Sequence, residues 1–154
     1  MILSIKNGPV KIQKSTVRKA VFFFSNSLLS TRLNNRINLK IVFIKDFYKV
    51  SKCLGTCTWT DNNDRPRKFE IELDDNLSPK QTLRALAHEM VHLKQYATGQ
   101  MKDMYADQST KWEGKIHKYV NEQSNDYWTY PWEIEAYGRE VGLYVMFKNE
   151  LKRQ

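Results

Sequence analysis

Residues 83–99, LRALAHEMVHLKQYATG, constrain this chain more than any other stretch. They contain His88-Glu89-Met90-Val91-His92, an H-E-x-x-H pattern. Side chains at i and i+4 lie one above the other on a single helical face, so the two imidazoles can reach one metal ion from the same side. A glutamate beside the first histidine is then placed to take a proton from a water held by that ion. The flanks predict the helix that this chemistry needs. Ser78-Pro79-Lys80-Gln81 reads as an N-cap serine, a proline at the first helical position and a capping-box glutamine. Gly99 is a C-terminal stop, and Leu83, Leu86, Ala87, Met90 and Val91 give a stripe of helical period beside the histidines.

The elements around this helix predict an α+β fold. Residues 1–14 read as an extended lead-in, broken by the turn signal Asn7-Gly8-Pro9. Ser15 or Thr16 can cap a helix running to about residue 34. Residues 39–44, LKIVFI, form a nearly continuous apolar run, the mark of a central strand. Residues 45–52 read as a basic loop or turn, and residues 53–60 as a second strand. Residues 67–73, RKFEIEL, alternate cleanly and make a third strand, paired with the second as a hairpin across Asp61-Asn62-Asn63-Asp64. The expected sheet is therefore small, three-stranded and mostly antiparallel. Residues 100–130 read as extended segments or loop, with a weak helix option over 111–122. Pro131 opens a last helix, PWEIEAYGREVGLYVMFKN. On it Tyr137, Val141, Tyr144 and Val145 are expected inward. Glu135, Gly138 and Gly142 share a face that would let this helix approach another closely.

A length of 154 residues suits one domain, 1–154. No apolar run approaches a membrane span, and the opening MILSIKNGPVKIQKS lacks signal-peptide architecture, so an intracellular, cytoplasmic protein is expected. Cys53 and Cys57, four residues apart on an extended segment, are about 13 Å apart and beyond disulfide reach. The net charge of +8 is uneven: residues 1–60 hold eleven Lys or Arg against the single acid Asp46. A basic segment of that kind can meet nucleic acid or acidic protein, although no nucleic-acid fold motif accompanies it.

Catalytic zinc takes three protein ligands plus water, so two histidines leave one ligand to find. A metzincin would need glycine at position 95 and histidine at 98, where this chain has Gln95 and Thr98. Glu135, Glu133 and His117 are the remaining candidates, Glu133 also being suited to cap the last helix at its third position. H-E-M-V-H followed by W-E-I-E-A on a later helix resembles the gluzincin-type zinc metallopeptidases, and the order of elements is similar to their minimal zincin fold. H-E-x-x-H-x-x-Q with a late YPWEIEA also resembles small SprT-like and phage-encoded metallopeptidases. The resemblance implies His88, His92 and Glu135 as zinc ligands and Glu89 as general base. Many gluzincins carry an acid four residues beyond the ligand glutamate, where this chain has Arg139.

The expected function is zinc-dependent hydrolysis of peptide bonds in a protein or peptide substrate. Tyr137, Tyr130, Tyr127 and His117 are candidates to stabilise the developing oxyanion. The rival expectations are a SprT-like protein acting on DNA-bound proteins through the basic segment, a peptidase with one protein target, and a zincin-shaped scaffold without activity.

Overall fold

The computed structural model describes residues 1–118 and 125–153. The fold is mixed α+β, built from a four-stranded sheet, a small three-stranded sheet and helices. The larger sheet contains β1 (Ile2–Lys6), β2 (Asn38–Ile44), β3 (Gly55–Trp59) and β4 (Lys68–Asp74) in the order β1-β2-β4-β3. Strands β1, β2 and β4 run parallel, and only β3 is antiparallel to its neighbour. The expected hairpin is present as β3 and β4. The expected three-stranded, mostly antiparallel sheet is corrected in two respects: a fourth strand joins, and parallel pairing dominates. β1 is the stretch that reads as a lead-in, because Ile2, Ser4 and Lys6 are exposed on this edge strand and its pairing depends on a partner more than thirty residues away.

Parallel strands require crossovers, and α1 (Lys14–Leu28) supplies the one between β1 and β2. It is shorter than expected, since Ser30 caps a separate turn of helix, α2 (Thr31–Asn34). Residues expected as basic loop hold a short helix, α3 (Phe47–Ser51). One face of the sheet is apolar. Leu39, Ile41 and Phe43 of β2 and Phe69, Ile71 and Leu73 of β4 are buried, each worth about 2 kcal/mol relative to exposure. The other face carries polar cross-strand pairs such as Lys40 with Glu70, at 2.7 Å.

Against the apolar face packs α4 (Pro79–Thr98), which bears the H-E-x-x-H residues. Its start is the expected capping box: Ser78 accepts from Gln81 N at 3.3 Å, and Ser78 N donates to Gln81 Oε1 at 3.1 Å. Its end is Gly99 at φ +77°, a left-handed cap that favours glycine. Arg67 donates to the Ala97 carbonyl at 2.7 Å, placing a cation where the last carbonyls of α4 lack helical partners.

Helix α5 (Pro131–Arg153) lies on α4. Its buried residues Glu133, Ala136, Glu140, Leu143 and Phe147 recur at intervals of three and four, which defines the face turned to the rest of the fold. The expected inward residues are largely on the other side: Tyr137 is 41 %, Val141 47 % and Val145 47 % exposed. Gly138 and Gly142 face open space, so they mediate no close helix approach.

The second sheet is a meander of β5 (Met101–Met104), β6 (Ser109–Trp112) and β7 (Lys115–Lys118). Strand β7 replaces part of the helix option over 111–122, whose last residues lie outside the described ones. Met101 and Trp112 from this sheet join Tyr130 and Trp132 in a small apolar cluster. The Tyr130 and Trp132 rings stack at 4.2 Å. This cluster anchors the first turn of α5 beside the last turns of α4. Among the described residues no helix is long and apolar enough to cross a membrane.

Candidate metal centre

Three side chains converge between α4 and α5. His88 Nε2 and His92 Nε2 are 3.0 Å apart. Glu133 Oε2 stands 3.4 Å from His88 Nε2, and Glu133 Oε1 3.5 Å from His92 Nε2. Four ligands at tetrahedral zinc distances of 2.0–2.1 Å are spaced about 3.3 Å from one another, so the three separations suit a single small ion. His88, His92 and Glu133 are the one histidine, cysteine and carboxylate group of this kind among the described residues. Glu133 Oε2 is buried with no hydrogen-bond donor. A buried carboxylate oxygen is costly unless something positive or a donor reaches it. The residues therefore fit a divalent cation by donor type, spacing and the unsatisfied oxygen.

Each imidazole is held from behind. His88 Nδ1 lies 3.2 Å from Glu140 Oε2, and Arg84 is paired with the same carboxylate, its Nε donating at 3.1 Å. His92 Nδ1 lies 2.8 Å from Gln95 Oε1, and Gln95 in turn donates to the Trp132 carbonyl at 3.0 Å. With a proton on each Nδ1, both Nε2 lone pairs point into the site. Acceptors placed behind metal-binding histidines fix ring orientation and raise ligand basicity.

The structure does not bring the expected third ligand, Glu135, into this group. Glu135 points away from the histidines. Its Oε1 accepts from Lys94 Nζ at 2.8 Å and from Arg139 Nε at 2.8 Å, and its Oε2 accepts from Gln95 at 3.1 Å. Residues two apart on a helix are turned by about 200°, so Glu133 and Glu135 cannot both face the two histidines; Glu135 meets α4 further along, at Lys94 and Gln95. The stripe that α5 buries contains Glu133 and Glu140, and the anchored Trp132 sets that rotation. Arg139, in the place of an expected acid, is the partner of Glu135. The acid that does support a histidine is Glu140, which the sequence reading missed. Its signal was present: E-x-x-A-x-x-x-E-x-x-L-x-x-x-F from residue 133 is one helical stripe. His117 is also outside the group, its ring edge-on to Trp132 at 5.4 Å and its Nε2 buried without a partner.

Electrostatics follow from burial and crowding. Burial raises the Glu89 carboxyl to about 7; His88 opposes this, while Glu133 and Glu140 add to it. Burial lowers His92, keeping its ring neutral. Burial also works against a charged His88, but the neighbouring Glu133 and Glu140 carboxylates outweigh it and raise its pKa. For Glu133 the burial penalty is overcome by the neighbouring His88 and His92 rings, so its pKa falls. Tyr127 also hydrogen-bonds Glu133. Tyr137 packs edge-on against His88 at 4.5 Å between ring centres. Burial and the surrounding carboxylates push its phenol up to about 12, so it remains a donor at neutral pH. Tyr130 is committed elsewhere, donating to the Lys118 carbonyl at 2.7 Å.

Glu89 faces the antiparallel edge strand. A Cβ on Gly55 would lie 3.3 Å from Glu89 Cγ, so glycine at this position lets β3 close over the glutamate. Cys57, two residues along, is a free cysteine whose thiol is pushed up by burial and by Glu89.

Comparison with protein-family models, with curated proteins and with solved structures returns no match.

Proposed function

We propose that this chain is a zinc-dependent peptide hydrolase in which His88, His92 and Glu133 hold the metal and Glu89 is the general base. The observation that carries the proposal is the convergence of two oriented imidazoles and a buried carboxylate, one oxygen of which has no hydrogen-bond partner, within 3.5 Å of one another, with a second glutamate of raised pKa beside them.

Bound zinc would supply a Lewis acid that brings the pKa of its water toward about 7 and polarises a substrate carbonyl. Glu89 accepts the proton of the attacking water and passes it to the leaving amine nitrogen. Tyr137 is the oxyanion donor best placed among the four candidates, because it adjoins His88, whereas Tyr130 donates to the Lys118 carbonyl, Tyr127 is taken up by Glu133 and His117 lies against Trp132. Glu140 and Gln95 orient the histidines. An extended substrate can add to β3, whose outer edge pairs with no strand among the described residues and which passes over Glu89.

Glu89→Gln preserves shape and removes the base. It is expected to keep its zinc and to lose peptide hydrolysis by at least about a hundredfold. Full activity in that variant would overturn the mechanism. Action on DNA-bound proteins has only the charge of residues 1–60 behind it. Within that segment Lys40 is paired to Glu70 and Lys49 to Asp46.

A further inference from the structure

A cavity of about 230 Å³ opens at the far end of β3 from Glu89, lined in part by Trp59, Tyr96, Tyr105, Asp61, Asp64 and Asp103. Its walls come from two directions. Residues Gly55, Cys57 and Trp59 alternate onto the helix side of β3, and α4 runs alongside from Glu89 to Tyr96. Gly55 covers Glu89, and the Trp59 ring lies 4.3 Å from that of Tyr96. Four residues of strand separate the two ends by about 13 Å. A peptide added to the free edge of β3 therefore places a side chain at the cavity about four residues from the bond above Glu89.

The lining specifies the charge of that side chain. Three rings present π-faces or edges, Tyr105 being 76 % exposed and 6.2 Å from Trp59. Three carboxylates face one ammonium, that of Lys102, which pairs with Asp64 at 2.7 Å. Asp103 is held in place by Tyr96 Oη at 2.9 Å and Thr110 Oγ1 at 2.9 Å. Neither hydroxyl neutralises it. The chain as a whole carries +8, so a net negative, aromatic-walled cavity runs against its surroundings. Aromatic faces combined with carboxylates select cations over neutral or acidic groups.

We propose that this cavity is a subsite for a lysine or arginine side chain of a peptide lying along β3. What lies along β3 is supplied by the peptide-hydrolase proposal, on which this one rests. Short unstructured peptides carrying one lysine at successive positions, with norleucine and acetyl-lysine counterparts, would be titrated against the full-length Glu89→Gln chain by fluorescence anisotropy. Lysine at one position is expected to tighten binding about tenfold over norleucine, and acetylation to abolish the gain. In the Tyr105→Ala and Asp103→Asn forms of that chain the gain is expected to fall below about threefold. Tyr105 is exposed, so its replacement leaves folding intact, which a thermal melt checks. Equal binding of lysine and norleucine peptides at every position, an undiminished gain in both variants, or no peptide binding at all would overturn the subsite. Parallel assays of the wild type separate the two proposals. Cleavage with no preference for a basic residue removes the subsite alone. Lysine-dependent binding by a chain that cleaves nothing removes the hydrolase and leaves the subsite.

Discussion

Glu133→Gln replaces the third donor while keeping its volume. In the structure this carboxylate is 4 % exposed and stands 3.4 and 3.5 Å from the two imidazole nitrogens. Four-ligand structural zinc sites bind with about 10–16 kcal/mol, or about 3–4 kcal/mol for each ligand. Loss of the anionic donor should therefore weaken zinc by about 100- to 1,000-fold. Glu135→Gln is the matched control on the same helix turn. It removes ion pairs to Lys94 and Arg139 but no donor, although Gln95 links it to His92. An effect below about tenfold is expected there. Competition against a chromophoric chelator gives both affinities, and elemental analysis after dialysis gives the stoichiometry. One equivalent of zinc at wild-type affinity in Glu133→Gln, with loss in Glu135→Gln, would refute the assignment and restore the ligand set expected from the resemblance.

Glu140→Gln should weaken zinc about 10- to 100-fold by loosening His88, again read by chelator competition. Tyr137→Phe should keep zinc and lower kcat about 10- to 100-fold with little change in KM, measured on a cleavable peptide. Glu89 predicts two pH effects. Activity should fall about tenfold per pH unit on the acid limb of its profile, as the base becomes protonated. Stability runs the opposite way in the chelator-treated protein. A carboxyl raised to about 7 in the folded state favours folding fully below its ordinary value near 4.5, and this contribution is lost as pH rises through 7. Glu89→Gln should therefore raise the melting temperature at pH 8, with about 3 kcal/mol as the upper bound, and the difference should vanish below about pH 4.5; equal melting curves at pH 8 would contradict the buried charge.

Local chemistry is legible without tertiary information. The capping box at Ser78, the stop at Gly99 and the helical stripe of α4 are set by contacts within a few residues, so they appear in the structure as read. The spacing of His88 and His92 needs only a helix to bring both Nε2 atoms within 3.0 Å. The alternation of residues 68–73 likewise reports a one-sided strand, and the turn before it a hairpin. Strand direction is different. A period of two is the same in parallel and antiparallel ladders, so the pairing of β1 with β2, and of β2 with β4, depended on the crossover of α1 and on where each apolar face could be covered.

The third ligand shows the same division. W-E-I-E-A places two glutamates near a metal in sequence, and helical geometry dictates that only one can face it. The choice turns on the rotation of α5, which Trp132, packed with Tyr130 and Trp112 and bonded through its carbonyl to Gln95, locks in place. The contacts with Trp112 and Gln95 join residues twenty and thirty-seven positions apart. Sequence alone determined that a capped helix carries His88, Glu89 and His92 on it. Tertiary packing decided that Glu133 closes the site, that Glu140 supports it, and that Glu135 is drawn off by Lys94 and Arg139, because a side chain's facing is a property of the helix's neighbours.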